Sequence, residues 1–474
     1  MVQEDYLAVQ QSRAPQKEEH GVERPTEAPL SALSKYGRWI QLLPNLNKLQ
    51  SVLHEFGAGQ DKDPTEWRLP LHLLTRCSPD VQVEFFSYNF RFDLDRTDLM
   101  RQLLDFTLPR LRHLHVEVRA LLPHTKVSEL MALLDRCGAT LCKLGLDFII
   151  CGRSGTDANE EPTENDQKNL ASLKELSLYQ WYEYGRVDVK TFWPWLFKRC
   201  GQVEVLEVRK FRGTLEVLTQ AMMTHMPNLN QCTLGTGQQS HRIPDVAIAK
   251  LLSGSCNGWK RVKLGEATVL GDMAMNALEK HYPTLEALDL SGSSWLSDNE
   301  VVQVLCSCAN LQSFTIPDTI GELGAEAFID LDPGTGSLKP WKCETTLKEL
   351  RIGVTGTARL GWTDEGGEAG FPEIHDRLFD RLARLTNLET LCLGDGGFEG
   401  YLDMRLGGGL HKLSGLRSLK ELSVRGLVTN VGVKEVQWMV ENWPRLCVIS
   451  GLDGYGHTKE AVEWLAKNHP RIVV

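Results

Sequence analysis

One spacing of apolar residues recurs along most of this chain. An apolar residue at the end of a helical-looking segment is followed by others at +3, +6 and +8, as Cys200 is by Val203, Leu206 and Val208. We name the first residue of each copy the anchor. Anchors include Cys137 (whose copy has one extra residue), Met226, Cys256, Tyr282, Cys308 and Trp443. About twelve copies follow one another at intervals of mostly roughly 26–32 residues, which indicates internal repetition.

Each copy combines a helix with a short strand. The last two apolar positions alternate with other residues at a period of two, which is typical of a strand. The segment before an anchor has helical spacing, as in Val127, Leu130, Leu134 and Cys137. One such unit cannot bury its apolar faces alone, so the units must stack. The sequence therefore predicts an α/β leucine-rich-repeat solenoid, a horseshoe or arc of about twelve irregular repeats. Its short parallel strands are expected on the concave face and its helices on the convex face.

The predicted solenoid is a single domain over 31–474. Residues 1–30 are predicted to be a polar N-terminal segment, either disordered or helical. An N-terminal cap with degenerate first repeats is expected over 31–107, and a C-terminal cap over 458–474. Polar or glycine-rich stretches break the repeat and are predicted to be loop insertions. They cover 152–169, 317–346, 353–377 and 394–409.

Composition narrows the classes of partner. The net charge of -10 argues against nucleic acid, because phosphate neutralisation needs clustered lysine and arginine. No apolar run approaches the roughly 18–20 residues of a membrane helix, so no membrane partner is expected. The first residues lack the apolar core of a secretory signal. With 12 cysteines and no such signal, we expect reduced thiols and a cytoplasmic or nuclear location.

The sequence contains no complete catalytic, metal-binding or phosphate-binding motif. Several anchors are cysteine, but methionine, tyrosine and tryptophan take the same position, which therefore needs buried apolar volume rather than a thiol. His113 and His115 share one side of a predicted strand, yet a structural metal site normally has four ligands. The stretch GDGGFEG at 394–400 lacks the lysine of a phosphate-binding loop. The sequence predicts no enzyme, and no catalytic, cofactor-binding or metal-binding residue.

Residues that flank the buried strand positions are predicted to line the concave face, because successive strand side chains point to opposite sides. The candidates for binding a protein partner there are Tyr179, Glu207, Arg209, Arg261, Lys263, Asp289, Arg351 and Arg425. Trp181, Tyr182 and Tyr184 follow a predicted strand and are placed at the rim of this face. Exposed tryptophan and tyrosine are typical contact residues; packing over the edge of a repeat is the alternative.

The repeat unit resembles those of ribonuclease-inhibitor-type and F-box-associated leucine-rich-repeat proteins. The stretches ALSKYGRWIQLLPNLNKL at 32–49 and EVQWMVENWPRL at 435–446 are similar to segments of a large fungal family of F-box/leucine-rich-repeat proteins. The resemblance implies a non-catalytic substrate receptor related to the F-box subunits of cullin-RING ubiquitin ligases. The alternative is a stand-alone ribonuclease-inhibitor-type regulator that binds an enzyme or a GTPase without a ubiquitin role.

The F-box itself is not found in this chain. Such a module is helical, normally precedes the repeats and begins with a Leu-Pro-x-Glu-like element, whereas residues 1–30 are short and polar. We therefore expect the cullin adaptor as a partner only if an F-box is encoded upstream of Met1.

Overall fold

A computed structural model gives the structure of much of the chain. It describes residues 48–49, 82–83, 85–90, 112–122, 131–132, 134–150, 170–179, 195–209, 215–235, 243–265, 268–291, 293–294, 297–316, 338–353, 372–402, 404–429, 431–452 and 457–474. These residues belong to one compact unit. Trp181, Tyr182, Tyr184, the predicted segment 1–30 and the predicted insertion 152–169 lie outside them.

The main element is a 13-stranded parallel sheet in which each strand lies beside the one before it in the chain. Its strands are β3 (Phe85–Phe90), β4 (His113–Leu122), β5 (Lys143–Ile150), β6 (Glu175–Leu178), β7 (Val205–Val208), β8 (Gln231–Leu234), β9 (Arg261–Leu264), β11 (Ala287–Asp289), β13 (Ser313–Thr315), β14 (Glu349–Arg351), β15 (Thr390–Leu402), β16 (Glu421–Thr429) and β17 (Val448–Ser450). Two small parallel pairs join β1 (Lys48–Leu49) to β2 (Gln82–Val83) and β10 (Thr268–Val269) to β12 (Ser293–Ser294).

Helices separate many of these strands. They are α1 (Leu215–His225), α2 (Asp245–Leu252), α3 (Asp272–Glu279), α4 (Asp298–Ser307), α5 (Pro372–Ala383), α6 (Val433–Asn442) and α7 (His457–Asn468), with 3-10 helices η1 (Leu406–Gly408) and η2 (Leu410–Gly415). Residues 134–137 and 195–198 are also helical. In the part of the chain with assigned structure, no helix combines the length and apolar character needed to span a membrane.

Equivalent residues of successive repeats lie beside one another in the sheet. Leu288 pairs with Val262 on one side and with Phe314 on the other, and all three are buried. Ala287 and Asp289, on either side of Leu288, are only partly buried. The same alternation of buried and accessible residues recurs in β7, β8, β9, β13 and β14. This register confirms the α/β leucine-rich-repeat solenoid.

Most anchors are buried, as the repeat predicts. Cys137, Cys200, Met226, Tyr282, Cys308 and Trp443 are all at most 4% exposed. Cys256 is the exception, because it is exposed. Helix α2 ends at Leu252, and the fully buried indole of Trp259 donates from Nε1 to the Leu252 carbonyl at 2.7 Å. The indole therefore fills the core at this turn, and the thiol of Cys256 is left outside.

A ladder of side-chain hydrogen bonds ties the turns of neighbouring repeats together. In each bond a side chain donates to a backbone carbonyl of the preceding repeat. The pairs are Ser172 to Ala139 (2.7 Å), Asn228 to Gly201 (3.2 Å), Asn257 to Pro227 (2.9 Å), Asn310 to Pro283 (2.7 Å) and Asn387 to Thr345 (2.7 Å). These bonds satisfy turn carbonyls that neither a helix nor the sheet satisfies.

Side chains also cap helix starts, as α4 and α3 show. Ser297 and Glu300 form a reciprocal capping box at the start of α4. At α3 the cap comes from the previous repeat. Asp245 of α2 accepts hydrogen bonds from the backbone N–H groups of Gly271 (2.9 Å), Met273 (3.1 Å) and Ala274 (2.8 Å).

Two predicted loop insertions contain regular structure, so their boundaries need correction. Strand β15 runs through most of 394–409, where residues 400–402 pair with 427–429 of β16. Leu402 and Met404 are buried, so this stretch gains both backbone partners and apolar packing. Helix α5 begins inside the insertion predicted at 353–377, and its first residue is proline, which suits a helix start.

The C-terminal cap is predicted over 458–474, and the structure has helix α7 and one further sheet contact there. Val473 pairs in parallel with Val448 of β17. Its N–H donates to the Cys447 carbonyl and its carbonyl accepts from the Ile449 N–H, each at 2.9 Å.

Candidate protein-binding face

The accessible side of the 13-stranded sheet carries the predicted partner-binding residues. We name this side the open face; it holds the side chains that alternate with the buried strand residues. Tyr179, Glu207, Asp289 and Arg351 are partly buried there, whereas Arg209, Arg261, Lys263 and Arg425 are exposed. Their role in binding stays a prediction.

An aromatic and charged cluster covers β4 to β7. The rings of His115 and Tyr179 meet edge to face with centroids 5.1 Å apart, and the Arg209 guanidinium lies 5.2 Å from the Tyr179 centroid. Arg209 Nε donates to Glu207 Oε1 at 2.6 Å, and Ser177 Oγ donates to Glu207 Oε2 at 3.1 Å. The side chains thus hold one another in place.

Gly145 makes the contact between His115 and Tyr179 possible. It is on β5, between the strands of the two rings, and a Cβ added to it would lie 2.4 Å from His115 Nδ1. Any other residue would push the imidazole away from Tyr179. Sequence reasoning missed this cluster, although a glycine at an outward strand position, flanked by two rings, was the signal that could have found it.

Ion pairs between neighbouring strands continue along the open face. Lys143 Nζ lies 2.7 Å from Glu175 Oε2, and this hydrogen bond raises the pKa of Lys143. Lys263 Nζ lies 2.5 Å from Asp289 Oδ2. Each pair joins residues on adjacent strands, where side chains are close enough to interact directly.

Near the C-terminal end of the sheet, one arginine bridges two carboxylates. Arg351 Nε donates to Glu349 Oε1 at 2.6 Å, and a terminal nitrogen of Arg351 donates to Glu421 Oε2 at 3.4 Å. Glu421 is on β16, two strands from Arg351. The intervening strand carries Cys392 at this level, 2% exposed. Because Cys392 is small, the longer Arg351 side chain can reach across it.

Five buried thiols are poor nucleophiles. Burial raises the pKa of Cys137, Cys232, Cys308 and Cys343 to about 12, and raises that of Cys200 as well. A thiol with such a pKa stays protonated near neutral pH, and the thiolate is the reactive form. Within the described residues, no three or more His, Cys, Asp or Glu side chains are grouped to hold a metal ion.

Comparisons with known proteins add little. No family model matches the chain, and no curated protein matches it. A solved yeast complex of Rad7 and Elc1 matches at 13% identity and a TM-score of 0.39, over 74% of this chain and 72% of the other. An internalin from Listeria monocytogenes matches at 12% and 0.38, over 74% and 88%. A leucine-rich-repeat protein of Leptospira interrogans matches at 14% and 0.35, over 90% and 99%. Scores this low carry no argument, so the fold rests on the strand register and burial described above.

Proposed function

We propose that this protein is a non-catalytic recognition scaffold that binds a protein partner on the open face. The observation that carries the proposal is the row of accessible, mutually fixed polar side chains along one side of the sheet. Both charge signs occur there, which suits a protein surface better than the uniformly negative backbone of a nucleic acid. Fixed side chains also lose less conformational freedom when a partner binds.

A finer proposal follows from the sequence resemblance. The similarity of 32–49 and 435–446 to fungal F-box/leucine-rich-repeat proteins supports a role as a substrate receptor, or a relative of one, in the cytoplasm or nucleus. Ten cysteines in the described part are free thiols, which is compatible with a reducing compartment. This role predicts that the cullin adaptor co-purifies with the full product of the gene. Partner capture without the adaptor supports the stand-alone regulator instead.

A steric block tests the general proposal independently of charge. Thr233 on β8 and Thr315 on β13 point to the open face, and tryptophan at both positions would obstruct any partner there. Partners captured by affinity purification and quantified by mass spectrometry should be lost from the double variant Thr233→Trp/Thr315→Trp. Gln220→Trp, at an exposed position on α1, is the matched control and should retain them.

Each result of the steric test has a clear meaning. If the double variant keeps its partners and its circular dichroism spectrum, the open face is not the binding surface. Loss of partners from the Gln220→Trp control as well would also contradict the proposal, because that side chain is on a helix. For the rim residues, the double variant Trp181→Ala/Tyr182→Ala should fold normally and bind less; an unfolded variant would mean that both pack in the core.

A further inference from the structure

The open face, on which the proposed function rests, satisfies its negative charges more completely than its positive ones. Among the open-face residues whose side chains the structure describes, five carboxylates each have a cationic partner within 3.4 Å. The pairs are Glu175 with Lys143, Glu207 with Arg209, Asp289 with Lys263, and both Glu349 and Glu421 with Arg351. A partner that approaches this face meets no uncompensated carboxylate among these residues.

The cations are different. Arg261 on β9 and Arg425 on β16 are exposed. Within the described residues, neither guanidinium group forms an ion pair or a hydrogen bond. Arg209 is 57% exposed and binds Glu207 through Nε, which leaves its two terminal nitrogens for another acceptor. Arginine presents its N–H groups in a fork that matches a carboxylate.

Charge favours an acidic partner at the three arginines. The whole chain has a net charge of -10, so these exposed guanidinium groups are where an acidic segment meets the least repulsion. Complementary potentials of this kind guide association and fix orientation.

The positions of the three arginines limit the shape of the partner. Arg209 follows β7 and Arg425 belongs to β16, and Arg261 lies between them on β9. With about 4.8 Å between neighbouring strands, the row from β7 to β16 spans about 34 Å. An extended polypeptide advances about 3.3 Å per residue, so roughly ten residues cover this distance.

We propose that the open face binds an extended acidic segment of a partner protein, laid across the strands, with carboxylates that pair with Arg209, Arg261 and Arg425. The four carboxylates between β7 and β16 (Glu207, Asp289, Glu349 and Glu421) disfavour a nucleic acid, whose phosphates would lie against them along the whole row. A peptide segment with spaced glutamates or aspartates can place its neutral residues opposite the carboxylates of the face.

Direct binding of model peptides tests this assignment. The probe is a fluorescein-labelled decapeptide of alternating glutamate and serine, titrated with the full-length chain at low salt and followed by fluorescence anisotropy. Matched probes replace glutamate with glutamine or with lysine, and a ten-nucleotide oligothymidylate represents nucleic acid. The glutamate peptide should bind at least about tenfold more tightly than the other three, and its affinity should fall as salt is added.

Charge-reversal variants locate the site. Arg261→Glu/Arg425→Glu should weaken binding of the glutamate peptide about tenfold or more, whereas Arg261→Lys/Arg425→Lys should retain most of it. Lys434→Glu/Lys467→Glu, at exposed positions on α6 and α7, changes the net charge by the same amount away from the sheet and should bind as the unchanged protein does. Both arginines are exposed, so the variants should melt at nearly the same temperature.

Three outcomes would overturn the inference: equal binding of the glutamine peptide, tighter binding of the oligothymidylate, or full binding by the Arg261→Glu/Arg425→Glu variant. None of these decides the broader proposal, which depends on the tryptophan block. A partner lost from Thr233→Trp/Thr315→Trp but retained by the charge-reversal variant would show that the face binds a protein without using acidic side chains.

Discussion

The two sides of the same sheet follow different rules. On the buried side, the equivalent position is occupied in successive strands by Leu206, Cys232, Val262, Leu288, Phe314 and Leu350, none more than 2% exposed. On the open side, one residue further along, the same strands carry Glu207, Thr233, Lys263, Asp289, Thr315 and Arg351. The buried side requires only apolar volume, so apolar residues recur at its equivalent positions. The open side has no such common requirement, so its residues can differ from repeat to repeat and can determine which partner binds.

The largest expected effect comes from the buried side. Leu288→Ala should lower the free energy of unfolding by about 2–5 kcal/mol, because it leaves a cavity between Val262 and Phe314. Asp289→Ala changes the next residue of the same strand, but on the open side, and should cost less than about 1 kcal/mol. Urea denaturation followed by circular dichroism measures both. Similar costs for the two variants would contradict the division of the sheet into two sides.

A buried charge on helix α5 is an exception to the apolar character of the packed core. Arg381 is 0% exposed, and burial lowers its pKa. Its guanidinium donates to the Lys339 carbonyl and to Glu344 Oε1, and it lies 4.9 Å from the Trp341 ring centroid. The packed core is therefore not purely apolar, and here it depends on one polar arrangement rather than on volume alone.

Arg381→Met should cost about 2 kcal/mol, because it leaves the Lys339 carbonyl and the partly buried Glu344 carboxylate with one donor fewer. Arg384→Met is the matched control. Its guanidinium lies 3.8 Å from the same Glu344, but its side chain is 38% exposed, so less than about 1 kcal/mol is expected. Unfolding in urea gives both values. A stabilised Arg381→Met protein would show that apolar volume alone decides this site too.

Sequence reasoning recovered the part of the molecule that obeys a period. The strands, their buried residues and the side of the sheet that carries Glu207 or Arg351 follow from spacing alone. It mislocated Cys256, because the indole of Trp259 fills that turn from a different position of the repeat. It also extended a loop over part of β15, where pairing with β16 outweighs the high glycine content.

What spacing could not predict are contacts between side chains of different repeats. The reach of Arg351 to Glu421 depends on which residues become neighbours after stacking. The contact of His115 with Tyr179 depends in addition on the missing side chain of Gly145. Each of these contacts joins one particular pair of residues and does not recur in other repeats, so no periodic pattern in a single sequence predicts it.

A contact between helices of successive repeats gives the next smaller effect. Asp245→Ala should destabilise the protein by about 1 kcal/mol, because three N–H groups at the start of α3 lose their acceptor. Glu279→Ala removes an exposed carboxylate from the other end of α3 and should change stability little. Thermal denaturation compares the two variants. Equal melting temperatures would mean that water caps α3 as well as Asp245 does.

The smallest effect is expected for an ion pair of the open face. A double-mutant cycle with Lys263→Ala, Asp289→Ala and the combined variant should give a coupling free energy below about 1 kcal/mol, since the lysine side chain is 52% exposed and the aspartate 25% exposed. High salt should reduce this value further. Urea unfolding of the four proteins measures it.

A coupling above about 2 kcal/mol would mean that the open face helps to hold the fold together, and its residues would then not be free to vary with the partner. A weak coupling leaves the buried side to maintain the solenoid while the charges of the open face are set by what they bind.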